Sequence, residues 1–325
     1  MRLLRGIVTK LAGIVLAILV IATINFTLVH SAPGDPASVM AGQSGATDEK
    51  FLEELRAEYG LDKPFMVQLG TYLKKVVTLD LGYSYRQRRP VNELILDRLG
   101  PTLLLTLSAF FLSLIGGVVF GTLAGLRHGK WSDLAISLVA LLLYATPVFW
   151  LGLMLVLIFS IQLEWLPAFG YVDMRASSFG RLEYAWDVLR HLFLPAITLG
   201  AIYMAVYTRL MRASLIEVAA EDHVKTARAK GLGEGAILRG HMLRNAALPV
   251  VTFAGLQVGA LVGGAVVVET VFSWPGLGRL TFDAVTARDY PVLLGIFLVM
   301  SVLVIVVNIL TDLLQRLIDP RIAVR

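Results

Sequence analysis

The sequence predicts an all-α, polytopic membrane protein with six transmembrane helices. Hydrophobic residues make up 57% of the 325 residues, charged residues make up only 16%, and six long runs contain no Asp, Glu, Lys or Arg. Soluble domains contain about 25% charged residues, and one water-soluble core could not cover this much apolar surface. The net charge of +5 fits a basic membrane protein with its excess charge in cytoplasmic loops. We therefore expect a lipid bilayer around the chain and no nucleic-acid partner.

The six uncharged runs have the lengths that membrane spans require, about 20 mostly apolar residues. They cover 11–34, 101–126, 134–163, 192–208, 245–268 and 290–311. The fourth run is short, and we expect Arg209 at its end to extend the span by snorkelling to the interface. The third run is long enough to include a periplasmic extension.

The first run has two interpretations. Arg2, Arg5 and Lys10 form a basic start, and Ser31-Ala32 is a small pair that resembles a signal-peptide cleavage site. The apolar stretch, however, exceeds the roughly 7–15 residues of a signal-peptide core. We expect a retained N-terminal transmembrane helix over 1–34 and keep the cleaved signal peptide as the alternative.

Basic residues near the ends of the runs predict the orientation of the chain. They concentrate in 1–10, 127–133, 209–244 and 316–325, and the third of these segments has seven basic against four acidic residues. Positive charge marks the cytoplasmic side. The termini and 209–244 are therefore predicted to be cytoplasmic, and the segments 35–100, 164–191 and 269–289 to be outside.

The outer segment 35–94 is predicted to be a small folded cap. Residues 47–60 have the apolar spacing of an amphipathic helix, with a stripe formed by Phe51, Leu52, Leu55 and Tyr59. A second helical stretch covers 64–76. The alternative is a mobile loop.

Small residues and prolines predict how the spans pack. Two glycine series with four-residue spacing lie on one face each of the second and fifth spans: Gly117, Gly121 and Gly125, and Gly255, Gly259 and Gly263. Such faces allow close helix packing; a moving interface is the alternative. Pro147, Pro195 and Pro249 are expected to interrupt or begin helices.

The sequence contains few groups that carry chemistry. The runs hold no charge, which disfavours an ion-coupled carrier, and Gln257 and Asn308 are the conspicuous polar residues of the last two spans, as interhelical hydrogen-bond partners or as lining of the pathway. Cysteine is absent, and none of the five histidines forms a metal or hydrolase motif. Gly231-x-Gly233 lacks the strand of a nucleotide fingerprint, and Gly129-Lys130 lacks Walker spacing. We expect no metal, cofactor or catalytic residue in this chain.

The connection 214–249 is the most informative segment. Ser214-Leu-Ile-Glu217 has the pattern of a capping box, which predicts a helix that starts near Leu215 and ends at Gly231. A second helix is predicted over 234–247, before Pro249. Two helices hinged at a glycine form a docking shape for a partner's groove; an ordinary solvated loop is the alternative.

Several motifs together resemble a known family. Asp222-His-Val-Lys-Thr-Ala-Arg-Ala-Lys-Gly231 and His241-Met-Leu-Arg-Asn-Ala-Ala-Leu-Pro249 resemble the EAA loop of bacterial ABC importer permeases, in particular the dipeptide/oligopeptide/nickel family. Glu269-Thr-Val-Phe-Ser-Trp-Pro-Gly-Leu-Gly278 and Arg288-Asp-Tyr-Pro291 are similar to that family's segment before its last helix. Lys225 and Thr226 depart from the general pattern, which has Glu and Ala there, and Arg244 stands where Pro is general.

The resemblance implies a subunit of an importer in a bacterial inner membrane. The partners would be a second permease, two ATP-binding subunits that hold ATP and magnesium, and an extracytoplasmic solute-binding protein. The type I permease domain would cover 95–315, followed by a cytoplasmic tail over 316–325. The permease itself would not be an enzyme. Peptides are the first expected substrate, with nickel complexes, glutathione, opines or sugars as alternatives. The competing classes are an ion-coupled secondary carrier and an intramembrane hydrolase.

Two groups of site residues follow from the resemblance and the local sequence. ATPase docking is assigned to Lys225, Thr226, Ala227, Arg228 and Gly231, with Ala227 small enough to sit against a partner. The outer mouth or pathway is assigned to Trp274, Pro275, Gly276, Gly278 and Gln257. The alternative for Trp274 is an interfacial anchor of a plain tight turn.

Overall fold

The structure, a computed structural model, describes residues 2–31, 53, 62–84 and 86–318. The predicted helix over 47–60 and the end of the tail lie outside the described residues. The helices, in chain order, are α1 Arg2–Ser31, α2 Phe65–Val77, α3 Val91–Leu126, α4 Trp131–Ala145, α5 Val148–Leu155, α6 Arg181–Ala219, α7 Asp222–Ala229, α8 Glu234–Ile237, α9 Leu243–Val271, α10 Leu277–Ala287 and α11 Tyr290–Ile318. Two π-helical turns, Val156–Gln162 and Leu238–Met242, and a 3-10 turn, Ala176–Ser178, complete the helical part.

The chain divides into two compact units, and the first contains residues 1–100 and 279–306. Its α2 confirms the helix predicted over 64–76. Phe26 of α1 stacks on Tyr72 of α2, with ring centroids 5.2 Å apart, and lies 5.5 Å from the ring of Phe65. Aromatic contacts of this kind contribute beyond the area they bury. They fix α1 against the predicted cap helix.

A two-stranded antiparallel hairpin follows α2 in the first unit. Its strands, β1 Tyr83–Ser84 and β2 Arg89–Pro90, pair Tyr83 with Pro90. The Ser84 hydroxyl donates a hydrogen bond to the buried Asp289 carboxylate. Burial raises the pKa of Asp289, and the hydrogen bond from Ser84 opposes that shift. The predicted family motif around Asp289 therefore anchors this hairpin.

Five of the six predicted membrane spans correspond to helices that are long and apolar enough to cross a membrane, if the bent third run counts as one span. Among the described residues, four straight helices meet this test: α1 from Ala12, α3, α6, and α11 up to Thr311. The run 134–163 is not one straight span, because α4 and the helix that begins at Val148 meet at 111°. Pro147 causes the break, since it lacks an N–H and clashes with a preceding turn. The fifth predicted span lies within the 29 residues of α9, which is not among these helices.

Two sequence predictions about helix ends are wrong. Pro195 and Pro249 lie inside the continuous helices α6 and α9 instead of interrupting or beginning them. The proposed capping box at Ser214–Glu217 also lies inside α6, which runs for 39 residues through Ala219. The amide groups there already bond within the helix, so they leave no free donors for a cap.

The second compact unit contains residues 101–278 and 307–325, and the close packing of α3 on α6 organises it. A Cβ on Gly117 would overlap Tyr207, and a Cβ on Gly121 would lie 2.6 Å from both Met211 Cβ and the Thr208 carbonyl oxygen. The predicted glycine face of α3 is thus confirmed. The matching prediction for α9 is wrong at Gly263, where a Cβ would meet nothing within 4 Å.

An ion pair joins α4 to α6 in the same unit. Arg212 donates from Nη2 to Asp133 Oδ2 at 2.8 Å and from Nε to Oδ1, and the Gly129 amide donates to the same carboxylate at 3.0 Å. The Asp133 side chain is only 6% exposed. Breaking such a pair by removing one partner would leave a buried charge, so the pair fixes the two helices together.

Arg209, at the end of the fourth predicted span, lies over an aromatic ring of α4. Its guanidinium carbon lies 5.0 Å from the centroid of the Tyr144 ring. Tyr144 is near the end of α4, 13 residues beyond Trp131, which corresponds to about 20 Å along a helix. The side chain of Arg209 therefore extends toward the far end of α4, away from the basic connection at 127–130.

We predict that Gly121→Ala lowers the thermal stability of the purified protein in detergent. The added methyl group would force α3 and α6 apart, and overpacking of this kind costs about 1–3 kcal/mol. Gly100→Ala is the matched control, because Gly100 lies on the same helix with nothing within 4 Å of its Cβ position. Unfolding is followed by intrinsic fluorescence. Equal melting temperatures for the two variants would contradict the packing described for Gly121.

Candidate functional site

The segment between α6 and α9, here called the connecting segment (residues 220–242), contains the predicted docking residues. The chain leaves α6 at Ala220, whose amide bonds to the Glu217 carbonyl at 3.0 Å. It turns at Glu221, which has extended backbone angles, and enters α7. The sequence predicted one continuous helix through this point. The turn instead makes α7 a separate helix whose direction differs from that of α6.

Gly231 ends α7 as predicted, through a Schellman motif. Its φ angle is +78°, its amide bonds to the Arg228 carbonyl at 2.9 Å, and the Leu232 amide bonds to the Ala227 carbonyl at 3.3 Å. These two bonds satisfy carbonyl groups that a helix end leaves open, and the left-handed residue between them favours glycine.

One face of α7 packs inward on the second compact unit. Val224 is fully buried and Ala227 is 4% exposed. Both join a hydrophobic cluster with residues of α6, α8 and α9 that includes Leu215, Val218, Ile237, Met242 and Ala246. The prediction that Ala227 contacts a partner is therefore wrong, because its methyl group is already covered by the chain itself. The small side chain serves close packing within the subunit.

The other face of α7 is exposed and carries local ion pairs. Lys225 contacts Asp222 at 3.0 Å, and the Thr226 hydroxyl donates to the Asp222 carbonyl at 2.8 Å. Arg228 donates two hydrogen bonds to Glu234, at 2.9 and 3.2 Å. The hydrogen bonds from Arg228 lower the pKa of Glu234. This pair ties the end of α7 to the start of α8 across the glycine.

The predicted turn at the end of α9 is present, but its tryptophan is not interfacial. Trp274 is fully buried, its Nε1 donates to the Pro101 carbonyl at 2.9 Å, and its ring lies 4.8 Å from that of Tyr171. Ser273 has a φ angle of +53°, so the chain reverses just before Pro275. The indole anchors this turn inside the second unit, and its side chain lines no open surface there.

A buried carboxylate, which the sequence analysis missed, explains the glycines of this turn. Glu269 is fully buried and accepts a hydrogen bond from the Thr102 hydroxyl at 2.7 Å. The same hydroxyl accepts from the Leu277 amide at 2.7 Å. A Cβ on Gly276 would overlap the carboxylate, and one on Gly278 would lie 2.9 Å from it. Only glycine leaves room for Glu269 at both positions.

The five predicted outer-mouth residues do not form one site. Trp274, Pro275, Gly276 and Gly278 share the turn around Glu269. Gln257 lies on α9, 14 residues before Val271, which is about 21 Å along a helix. It is half-buried and makes no hydrogen bond to any residue that the structure describes. Among the described residues, no group of three or more His, Asp or Glu side chains forms a candidate metal site.

Comparison with known proteins assigns the chain to a family. Residues 117–324 match the family described as "Binding-protein-dependent transport system inner membrane component", and residues 3–106 match its N-terminal companion. The chain belongs to this family. It is thus a multi-pass permease component of a binding-protein-dependent importer of the inner membrane. The subunit type predicted from the coupling motifs is confirmed.

Relatives in the family are similar over nearly the whole chain. The dipeptide transport system permease protein DppB of Escherichia coli is 40% identical over 98% of this chain and 99% of its own length. DppB of Alkalihalophilus pseudofirmus is 38% identical over 92% of this chain and 93% of its own. The glutathione transport system permease protein GsiC of Escherichia coli is 39% identical over 98% of this chain and 99% of its own.

Solved permease structures share the fold. The MetNI methionine ABC transporter in an inward-facing conformation matches with a TM-score of 0.54 and 17% identity, over 70% of this chain and 96% of the matched chain. An amino acid ABC transporter with histidines matches with a TM-score of 0.51 and 18% identity, over 69% of this chain and 94% of the matched one. The predicted type I permease fold is thereby confirmed.

We predict that Thr102→Val destabilises the purified permease by about 1–3 kcal/mol, because the Glu269 carboxylate and the Leu277 amide each lose a buried hydrogen bond. The variant keeps the shape but removes the hydroxyl that links Glu269 to Leu277. Thr106→Val is the matched control, because the Thr106 hydroxyl donates only to backbone carbonyls of its own helix. Thermal unfolding in detergent compares the two. A loss at position 102 no larger than that at position 106 would contradict the role of Thr102.

A second pair of variants tests the cap of α7. Gly231→Ala places a Cβ on a left-handed residue, which costs about 1–2 kcal/mol. Gly233→Ala meets the same open surroundings but has a φ angle of −65°, so we expect no comparable effect. Hydrogen–deuterium exchange of the α7 amides should accelerate about tenfold in Gly231→Ala alone. Equal exchange in both variants would show that the cap does not depend on glycine.

Proposed function

We propose that the chain is one of two permease subunits that together enclose the pathway of an ATP-driven importer of di- and oligopeptides. The observation that carries this proposal is the similarity over more than nine-tenths of the chain to permeases named for dipeptide systems. Permeases named for glutathione systems are equally similar. Glutathione is itself a small peptide with free carboxylates, so it is the second candidate substrate of the same class.

The orientation follows from the charges. We place both termini and the connecting segment in the cytoplasm and α2 with the hairpin outside, because basic residues accumulate on the first set of segments. The chain has no cysteine, so single cysteines can be introduced without background. A cysteine at Leu79 should react with an impermeant maleimide applied from outside, and one at Lys230 should not. The reverse labelling would overturn this topology.

The connecting segment is proposed to dock an ATP-binding subunit through its exposed face. Ala229, Lys230 and Leu232 are exposed at the end of α7, and Leu232 keeps 44% of its surface accessible. A short helix with an apolar tip is suited to a groove in a partner. Arg228 and Glu234 neutralise each other at the rim, where exposed ion pairs contribute only about 0–1 kcal/mol. The apolar tip is therefore the main contact that we propose.

The same segment explains how a partner's movement would reach the membrane. Val224 and Ala227 connect α7 to α6 and α9 through a continuous buried cluster. A close-packed interior transmits displacement because it is hardly compressible. When ATP closes the two ATP-binding subunits, the docked α7 would move with them, and α6 and α9 would follow as rigid elements. The pathway would then alternate between its two openings, with no reaction in the permease.

We predict that Leu232→Asp abolishes stable binding of the ATP-binding subunit while the permease pair still assembles. The substitution places a charge in the apolar contact, where desolvation penalises it. Lys130→Glu is the control, because it changes an exposed charge on another predicted cytoplasmic connection. Co-purification in detergent measures subunit stoichiometry. Full retention of the ATP-binding subunit by Leu232→Asp would refute the docking assignment.

The substrate is tested with the complete importer in proteoliposomes. The two permeases, the ATP-binding subunits and the binding protein are reconstituted, and uptake of radiolabelled dialanine, a tetrapeptide and glutathione is compared. Uptake of the peptides that requires ATP and the binding protein supports the proposal. Uptake of glutathione alone would select the second candidate, and uptake of neither would reject both.

A further inference from the structure

Helix α6 places a cation beside the C-terminal end of α4. The guanidinium of Arg209 lies over the Tyr144 ring, 5.0 Å from its centroid. Tyr144 is about 20 Å along α4 from Trp131, an exposed tryptophan of the kind that marks a membrane interface. The hydrocarbon core is about 30 Å thick. By this helix count the ring of Tyr144 lies within the span, and the guanidinium of Arg209 lies beside it.

Arg209 has no acidic partner among the residues that the structure describes, although it is exposed. Its neighbour one turn further along α6, Arg212, is fully engaged with Asp133. A charged side chain at membrane depth faces a protein interior or a water-filled cavity rather than lipid. Arg209 is therefore available to an anionic group that this part of the chain does not supply.

The surroundings of Arg209 are those of a ligand site. Tyr144 is two residues before the break at Thr146–Pro147, where the span turns through 111°. Irregular backbone at membrane depth is tolerated where it is buried in protein or lines an aqueous cavity. Discontinuous helices near the middle of the bilayer form the substrate sites of many transporters. The break and the unpaired cation thus meet at one place, on helices α4 and α6.

We propose that Arg209, held by the Tyr144 ring, binds the carboxylate of the transported solute, which for a peptide is its C-terminal carboxylate. A guanidinium matches a carboxylate through two parallel hydrogen bonds and also stacks on an aromatic ring. The ring fixes the plane of the guanidinium without neutralising its charge. This inference rests on the proposed peptide import and adds a specificity-determining residue to it.

The test uses the reconstituted importer and radiolabelled dialanine. Arg209→Gln should reduce initial uptake about tenfold or more, because it removes a charge-assisted contact. Arg209→Lys keeps the charge and should lose less, and Tyr144→Phe, which keeps the ring, should behave as wild type. Arg181→Gln, at the exposed first residue of the same helix, is the control. Subunit stoichiometry and ATP hydrolysis stimulated by the binding protein should stay unchanged in all variants.

A second set of uptake measurements removes the carboxylate from the substrate instead of the guanidinium from the permease. Dialanine amide lacks the carboxylate and is supplied at concentrations that saturate the binding protein. Wild-type uptake of the amide should fall by a factor similar to that of Arg209→Gln with dialanine, and combining the two changes should cause no further loss. Independent, multiplying losses would show that Arg209 and the carboxylate do not meet.

The outcomes separate the inference from the proposed function. Normal dialanine uptake by Arg209→Gln, with normal uptake by wild type, would overturn the inference and leave peptide import intact. Loss of the second permease from Arg209→Gln would assign the arginine to a carboxylate of that subunit and also overturn the inference. If wild type imports no peptide while the assembled subunits hydrolyse ATP, the proposed substrate class itself fails.

Discussion

Helix α6 holds the second compact unit together in a bilayer, where no hydrophobic driving force brings helices together. Lipid tails are as apolar as leucine side chains, so packing must come from close contact and polar pairing. Gly117 and Gly121 bring α3 within backbone contact of α6, and Asp133 ties α4 to Arg212. Each of these contacts depends on α6 remaining one uninterrupted helix of 39 residues. Its length also places both ends beyond the membrane core, where the chain can turn.

The same dependence links the membrane helices to the connecting segment. The first turn after α6 sets the direction of α7, and Val224 holds α7 against the cluster built on α6 and α9. A movement imposed on α7 cannot be absorbed within that cluster, because its members are almost completely buried. One face of the connecting segment is thus exposed to solvent, and the other is close-packed against α6 and α9. This arrangement suits an element that passes the movement of a docked partner to the membrane helices.

The sequence was sufficient for features that depend on local chemistry. The uncharged runs, the break at Pro147, the stop at Gly231 and the glycine face of α3 all follow from the side chains themselves. Features set by tertiary surroundings were not visible. Serine is a common helix-capping residue, yet Ser214 lies inside α6, which continues on both sides of it. The small side chain of Ala227 allows α7 to pack closely within the subunit, and it does not form part of the exposed face. Glu269 follows directly on an uncharged run, and only the tertiary fold shows that its carboxyl group is buried beside Thr102.

The two classes of polar residue in the structure show how this chain uses the membrane. Glu269 and Asp133 are fixed by neighbours within the subunit, and their partners come from distant parts of the sequence. Such pairs specify one arrangement of the helices, since a shifted helix would break the hydrogen bond to Glu269 or leave the Asp133 charge uncompensated. Arg209, by contrast, lies over an aromatic ring and makes no hydrogen bond to the residues that the structure describes. The first two side chains therefore hold the helices together, whereas that of Arg209 is the one that we propose meets the transported solute.

The π-helical turn at Leu238–Met242 has a consequence for how the family can vary in length. Such a turn holds one residue more than a regular α-helical turn, so the helix on either side keeps its phase despite the extra residue. Losing one residue there would yield a regular helix with the buried face of α9 still directed at α6. Losing one residue between Asn245 and Ala254 would instead rotate everything beyond it by about 100°. The π-helical turn can therefore lose one residue without rotating the rest of α9. Single-residue gaps among homologues should concentrate within this turn.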